Sequence, residues 1–362
     1  MIVPQTYLTA LVVTILSMIC WGSWANTTKL AGKWRFELFY FDYAFGVLLA
    51  ATIAAFTVGS ASFVGVYNFT GFELIDDLLK TGKRQIIYGL AGGLVFNLAN
   101  MLLVAAISVA GLAVAFPVGI GIALVVGVVL NYIGNPQGNP GLLFSGTAFL
   151  VAAIVVDALA YKALANARAD AGPLPPSGPG TKAGSARQHA SKKFWKGLLL
   201  SIVSGILMGL FYPLVEMGKA GELGLGAYSI GFVFATAVFF STFLFNIYFM
   251  NLPVEGPPVG IGDYLKGTRK QHLLGVFGGM VWCLGTLANF AAASAPEKVH
   301  VGPAVSYAIG QGATMVSALW GLLGWKEFSG GGPKVTALLV IMLVLFGVGL
   351  GLVSIAPLYV AR

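Results

Sequence analysis

The chain alternates long apolar runs with short polar stretches. Most runs reach about 20 residues, the length at which a helix crosses the hydrocarbon core of a bilayer. The runs are continuously apolar, whereas the strands of an outer-membrane barrel alternate between apolar and polar positions. The pattern therefore predicts an all-α membrane protein with ten transmembrane helices, near residues 6–31, 38–60, 84–107, 111–133, 140–164, 194–219, 226–250, 272–293, 301–325 and 333–357.

One long polar stretch divides this pattern into halves of five helices each. Residues 166–193 are rich in Pro, Gly, Ala and Ser, a composition that buries too little apolar surface to fold. We therefore predict a first five-helix repeat over residues 1–165, a flexible linker over 166–193 and a second five-helix repeat over 194–362.

The two halves also match each other in sequence. An offset of 187 residues pairs Ser17 with Ser204, and an offset of 186 pairs Pro117 with Pro303. Because each half holds an odd number of helices, the second half enters the membrane from the opposite side. Such inverted repeats are typical of secondary transporters, whose binding site lies between the repeats.

Composition and charge support a multi-pass membrane protein. With 57% hydrophobic and 9% charged residues, the chain has too little polar surface to cover a soluble globule of 362 residues. The net charge is +8, but the basic residues lie at helix ends and in loops, without the interleaved aromatic residues of a nucleic-acid-binding face. Placing both termini outside and the linker in the cytoplasm puts most of the 21 Lys and Arg residues inside, as the positive-inside rule requires.

The first predicted helix carries an unusual polar stripe in the sequence SMICWGSWANTTKL. One face of this helix carries four residues at helical spacing, Ser17, Trp21, Trp24 and Thr28. We do not expect a face with this many polar groups to point toward lipid. Trp24 lies close enough to the helix end to anchor it at the headgroup level. For Trp21, helix packing and stacking on a ligand are both open.

Polar side chains lie within three other predicted helices. Asn97 and Asn100 lie one turn apart in the third helix, Trp282 lies in the eighth, and Tyr307 and Gln311 lie one turn apart in the ninth. An amide in the bilayer core needs partners, either on neighbouring helices or in a polar cavity. These residues indicate either interhelical contacts or binding of an uncharged solute rich in hydroxyl or amide groups.

Two acidic residues within the predicted spans are candidates for ion coupling. Glu216 and Asp157 are costly to place in a membrane, and such residues are functional hypotheses by default. We expect one of them to carry a coupling proton. The sequence has no paired acid and base, no serine at a readable spacing from a histidine, and no metal-ligand motif. We therefore predict a protein that is not an enzyme and that uses neither a cofactor nor a metal.

Several stretches resemble known transporter families. CWGSWANTTKL in the first helix resembles the first helix of the glucose/ribose porter and ureide permease families. LAGGLVFNLANMLLVAAISVAGLAVAFPVGIGIALVVGVV, and GGMVWCLGTLANFAAASA in the eighth helix, resemble bacterial rhamnose–proton symporters. The ten predicted helices in two inverted sets of five resemble the drug/metabolite transporter superfamily, which includes these families.

This resemblance implies proton-coupled import of a small polar solute, above all a monosaccharide, by alternating access across the cell inner membrane. Uptake of ureides or nucleobases, export of drugs or metabolites, and sodium as the coupling ion are the alternatives within transport. A membrane scaffold or sensor is the alternative outside it. The resemblance assigns solute contacts to Trp21, Trp24, Asn26, Asn97, Asn100 and Trp282, and the polar positions of the ninth helix add Tyr307 and Gln311.

Overall fold

The computed structural model describes residues 2–62, 68–69, 73–171, 183–253, 257–296, 299 and 301–359. Almost all of the described structure is helical, which confirms the all-α prediction. A two-residue antiparallel ribbon, β1 (Ala61–Ser62) with β2 (Asn68–Phe69), is the exception in this part of the chain. The helices are α1 (Tyr7–Ser23), α2 (Asn26–Ala31), α3 (Phe36–Phe56), α4 (Glu73–Lys80), α5 (Lys83–Ala110), α6 (Leu112–Gly134), α7 (Pro140–Ala171), α8 (Ala183–Lys219), α9 (Ala227–Asn251), α10 (Ile261–Leu265), α11 (Arg269–Ala293), α12 (Pro303–Gly310), α13 (Ala313–Leu319) and α14 (Gly332–Ile355).

Nine helical segments of the described residues are long and apolar enough to cross a membrane, with α1 and α2 counted as one segment. Residues 301–325, predicted as one continuous ninth helix, are interrupted in the structure. They contain α12, α13 and a π-helical turn at Trp320–Gly324. The interruption at Gln311 lies between Gly310 and Gly312, and glycine is a weak helix former.

The linker between the halves is shorter than predicted. Helix α7 continues to Ala171 and α8 begins at Ala183, so both ends of the predicted linker 166–193 are helical. Both helical ends are rich in alanine, the strongest helix former. The prediction of a flexible linker rested on Pro and Gly content and gave these alanines no weight. The remaining residues, 172–182, lie outside the described part of the chain.

The long helices pack in pairs that cross between the two halves. Helix α5 packs on α8, and α1 packs on α11. Likewise α3 packs on α11, while α5 packs on α9. Glycines allow the closest approaches, since a Cβ added at Gly93 would overlap the carbonyl oxygen of Phe234, and one at Gly279 would overlap that of Tyr43. Small residues serve this purpose at many interfaces between membrane helices.

Two faces of the bundle are used as reference points below. The terminal face is the side where α1 begins and α14 ends, and the Tyr7 hydroxyl donates there to the carbonyl oxygen of Ser354. The linker face is the side where α7 ends, and Arg168 donates there to the carbonyl oxygen of Glu327. Helices α1, α12 and α13 run from the terminal face to the linker face, whereas α8 and α11 run in the opposite direction.

Candidate functional site

A cavity of about 170 Å³ lies among α1, α5, α6, α8, α11 and α13. Its wall is mainly aromatic and aliphatic, with a few polar side chains. Small-molecule sites in proteins have this character, because apolar surface supplies binding energy and a few polar groups fix orientation. Five of the residues predicted from the sequence line the cavity, and these are Trp21, Trp24, Asn100, Trp282 and Gln311.

Two indole rings form a fixed aromatic wall. The Trp21 indole N–H donates to the Thr286 hydroxyl at 3.0 Å. The Trp21 ring lies nearly parallel to that of Trp282, with centroids 6.4 Å apart and 17° between the planes. The Trp282 ring in turn stacks on Phe96 at 4.5 Å and 25°. The sequence analysis did not identify Phe96 or Thr286, because an apolar or hydroxyl residue in a membrane helix carries no distinct signal.

Several polar groups of the lining residues have no hydrogen-bond partner among the described residues. They are the indole N–H groups of Trp24 and Trp282, the side-chain amide of Gln311 and the Oδ1 atom of Asn100. Together they offer two donors, one acceptor and one amide that does both. Polar groups in apolar surroundings require partners, so this set is suited to hydrogen-bonding a polar solute inside the cavity.

Three predicted site residues do not line the cavity. Asn97 is fully buried and pairs with Tyr40 of α3 and with residues of α9. Tyr307 is also fully buried, and its hydroxyl donates to the carbonyl oxygens of Ala123 and Met208 at 3.2 and 3.3 Å. Asn26 lies at the linker face. In the structure, Asn97 and Tyr307 therefore make contacts between helices, which was the alternative to solute binding.

A buried polar cluster closes the cavity toward the terminal face. Asn289 lies two turns beyond Trp282 on α11, about 10 Å closer to that face. Its Oδ1 accepts from Tyr212 at 2.6 Å and from Ser306 at 2.9 Å, while its Nδ2 donates to Ser17 Oγ at 3.1 Å and to the Ser306 carbonyl oxygen at 3.0 Å. These four residues, here called the terminal seal, are fully buried or nearly so and join α1, α8, α11 and α12.

A different set of contacts lies on the linker side of the cavity. Three side-chain pairs join the end of α1 and α2 to the segment that follows α13. Their members in α1 and α2 are spaced three residues apart, about one helical turn. We call this set the linker latch. Its pairs are Ser23 with Trp320 at 2.9 Å, Asn26 with Trp325 at 2.6 Å, and the ion pair of Lys29 with Glu327.

The predicted ion-coupling residues lie away from the cavity. Glu216 forms an ion pair with Lys219 at 2.7 Å near the terminal end of α8. Asp157 is buried on α7, and its Oδ1 has no hydrogen-bond partner in the described part of the chain. Neither residue lines the cavity.

A third carboxylate was not identified from the sequence as part of a site. Asp42 of α3 accepts from the Tyr264 hydroxyl at 2.6 Å and lies 2.8 Å from Nδ1 of His272. Burial and the neighbouring Asp42 carboxylate both raise the pKa of Tyr264, which keeps that phenol a donor. Asp42 lies 222 and 230 positions before Tyr264 and His272, so spacing gives no signal for this group. Among the described residues, no group of three His, Cys, Asp or Glu side chains is arranged to hold a metal ion.

Comparisons with known proteins identify the family. The ureide permease family model matches residues 39–175 and 182–356. Ureide permease 2 of Arabidopsis thaliana is 25% identical over an alignment 391 positions long, which covers 93% of this chain and 94% of that protein. Ureide permease 5 of Arabidopsis thaliana is 26% identical, covering 95% and 93%. One solved crystal structure shares the fold over 96% of this chain and 98% of its own, with a TM-score of 0.57 and 15% identity.

These matches do not support the expectation of sugar import. The first-helix motif CWGSWANTTKL resembles both a sugar porter family and the ureide permeases, so it does not distinguish them. The full-length relatives are ureide permeases, and they favour the alternative of ureide uptake over sugar import. The chain belongs to the ureide permease family and is a multi-pass membrane transporter.

Proposed function

We propose that this protein transports a ureide or a closely related small heterocycle, and that the solute binds in the cavity beside Trp21 and Trp282. The relatives named as ureide permeases support this solute class. The size of the cavity is also suitable. An apolar protein cavity of about 150 Å³ accommodates benzene, and the cavity here, of about 170 Å³, suits a solute with one ring.

The observation that carries the proposal is the set of unpaired polar groups in the cavity wall. A ureide presents C=O acceptors and N–H donors in one plane. The two indole N–H groups are suited to its carbonyl oxygens, and the Asn100 oxygen to one of its N–H groups. The Gln311 amide can pair with an N–H/C=O edge through two hydrogen bonds. A planar ring also lies well against the faces of the indole rings.

We propose alternating access as the mechanism, with residues 1–165 and 194–362 acting as inverted repeats. Exchanging the halves converts the α5–α8 contact into the α11–α1 contact, and the α3–α11 contact into the α9–α5 contact, and all four are present. In this mechanism the terminal seal and the linker latch open in turn, so that the cavity meets one side of the membrane at a time.

Proton coupling and orientation belong to the same proposal. Asp157 is the stronger of the two predicted proton carriers, since its buried carboxyl oxygen lacks a partner in the described chain, whereas Glu216 is paired with Lys219. Sodium is the alternative ion. The distribution of basic residues supports a linker face in the cytoplasm and both termini outside, in an inner membrane.

The test is uptake by proteoliposomes of labelled allantoin, uracil, rhamnose, glucose and ribose, with and without an outside-acid pH gradient. We expect allantoin to accumulate and the gradient to increase it. Gln311→Leu should reduce allantoin uptake about tenfold or more, because it removes a buried two-bond contact. The matched control is Gln5→Leu, which changes an exposed glutamine near the N-terminus and should leave uptake unchanged.

Other outcomes would point elsewhere. Accumulation of a sugar in place of allantoin would restore the sugar alternative. Sealed vesicles that accumulate none of the five solutes would contradict import of this class and favour export or a scaffold.

A further inference from the structure

A chain of hydrogen bonds leads from α9 to the cavity. The hydroxyls of Ser241 and Thr242 both donate to the Val238 carbonyl oxygen, at 3.3 and 2.7 Å. The side-chain nitrogen of Asn97 lies 2.8 Å from Ser241 Oγ, 3.1 Å from Thr242 Oγ1 and 3.2 Å from the Val238 oxygen. Both hydroxyls have used their only hydrogen, so α9 presents only acceptors to Asn97.

This arrangement fixes the direction of the next two hydrogen bonds. Because the NH₂ group of Asn97 faces α9, its Oδ1 faces Tyr40 and accepts from that hydroxyl at 2.8 Å. The Tyr40 hydroxyl has then donated its hydrogen, and its oxygen accepts from the side-chain nitrogen of Asn100 at 3.0 Å. Tyr40 and Asn97 are both fully buried, so water does not supply alternative partners.

The last group in the chain lines the cavity. Rotating the Asn100 amide by half a turn would place its oxygen against the Tyr40 oxygen, with no hydrogen between them. The Asn100 Oδ1, which has no partner among the described residues, is therefore the atom left for the cavity. We infer that Tyr40 and Asn97 are positioning residues that hold Asn100 with its carbonyl oxygen toward the solute, so that the site selects a solute N–H at this point.

The inference rests on the proposed function, because it takes the cavity to be the solute site. Its chemical consequence is specific. A solute with an N–H at the matching position satisfies the Asn100 oxygen, whereas a solute with an N-methyl group leaves it unpaired and also adds bulk. A buried acceptor without a partner is expected to reduce binding about tenfold.

The experiment compares proteoliposome uptake of hydantoin, a cyclic ureide, with uptake of the same ring methylated at each N–H in turn. For the wild-type protein we expect at least one methylated form to be transported about tenfold less well than hydantoin. In Tyr40→Phe the Asn100 amide is free to turn, and that ratio should fall to about threefold or less. The change should come from a higher KM for hydantoin, with the maximal rate for the methylated ring unchanged.

Tyr43→Phe is the matched control. Tyr43 lies one turn away on α3 and is equally buried, but its hydroxyl has no hydrogen-bond partner in the described chain, so the ratio should remain at the wild-type value. Should Tyr40→Phe fail to reach the membrane, Asn97→Leu gives the same test, because it removes the acceptor of the Tyr40 hydroxyl.

The outcomes separate this inference from the proposed function. The positioning role would be overturned if Tyr40→Phe kept the wild-type ratio of hydantoin uptake to methylated-hydantoin uptake. It would also be overturned if Tyr43→Phe lowered that ratio as much as Tyr40→Phe does. Either result would leave ureide transport intact. A wild-type protein that carries neither hydantoin nor allantoin would overturn the proposed function and this inference with it.

Discussion

The terminal seal and the linker latch lie on opposite sides of one cavity and use different kinds of contact. In the seal, Asn289 makes four hydrogen bonds to three other helices, and each side chain involved is almost fully buried. In the latch, the Lys29 and Glu327 side chains are 43% and 29% exposed, and both indole donors are exposed as well. The seal is buried inside the protein, whereas the latch contacts involve partly or fully exposed side chains.

The difference has an energetic meaning. A hydrogen bond between membrane helices contributes about 0.6 kcal/mol on average and up to about 1.7. The four bonds of Asn289 therefore stabilise the closed terminal end by roughly 2 kcal/mol or more. In the latch, the exposed ion pair contributes about 0 to 1 kcal/mol and each of the two hydrogen bonds about 0.6 kcal/mol on the same scale, which together stay below the value for the seal. In this conformation we expect the linker end to open first, because breaking the latch costs less than breaking the seal.

The largest effect is expected from removing the centre of the seal. Asn289→Ala leaves Tyr212, Ser17 and Ser306 without their shared partner. We expect the free energy of unfolding in detergent to fall by about 2 kcal/mol or more, and allantoin uptake to fall with it. The measurement is denaturant unfolding of the purified protein, followed by uptake in proteoliposomes.

The control for that prediction is Asn251→Ala. Asn251 is exposed at the end of α9 and donates to the Ile247 carbonyl oxygen of its own helix at 2.8 Å. This variant should keep wild-type stability and uptake. Equal losses in the two variants would contradict a special role for the seal.

A smaller effect on stability, but a clear one on rate, is expected at the latch. Glu327→Gln removes the ion pair with Lys29 and should lower stability by less than about 1 kcal/mol. If opening of the linker end limits transport, the maximal uptake rate should rise by up to about fivefold. Initial uptake rates at saturating allantoin provide the measurement.

Asp263→Asn is the matched control for the latch. Asp263 forms an exposed ion pair with Lys266 at 2.8 Å, and the hydrogen bond from that lysine lowers the pKa of the carboxyl group. This pair lies at α10 and the residue that follows it, outside the latch, so its loss should not change the uptake rate. A Glu327→Gln protein with the same rate as Asp263→Asn would show that the latch does not limit opening.

The membrane helices were predictable because hydropathy and length are local properties of the sequence. The interruption at Gln311 was not predicted, because the apolar run continues through the flanking glycines. The helical ends of the linker were also missed. There the Pro and Gly content of the middle of the segment obscured the helix-forming alanines at its edges.

The candidate site was predictable only in part. Asn97 and Asn100 give the same sequence signal, an amide in an apolar helix, yet only Asn100 lines the cavity. Asn97 instead pairs with Tyr40 and with Ser241, which lies more than 140 positions away. Which amide faces a cavity depends on such distant partners. For the same reason the sequence analysis did not pair Glu327 with Lys29.

The most direct test of the account is whether a ureide occupies the cavity between seal and latch. In a protein carrying Cys20→Ala and Cys283→Ala, Ser317→Cys places the only thiol at the cavity wall, and Ser329→Cys places it outside the cavity as a control. We predict that allantoin slows maleimide labelling at position 317, that rhamnose does not, and that labelling at position 329 is unaffected by either. Unchanged labelling at position 317 under saturating allantoin, in a protein that transports allantoin, would place the solute elsewhere and contradict the account.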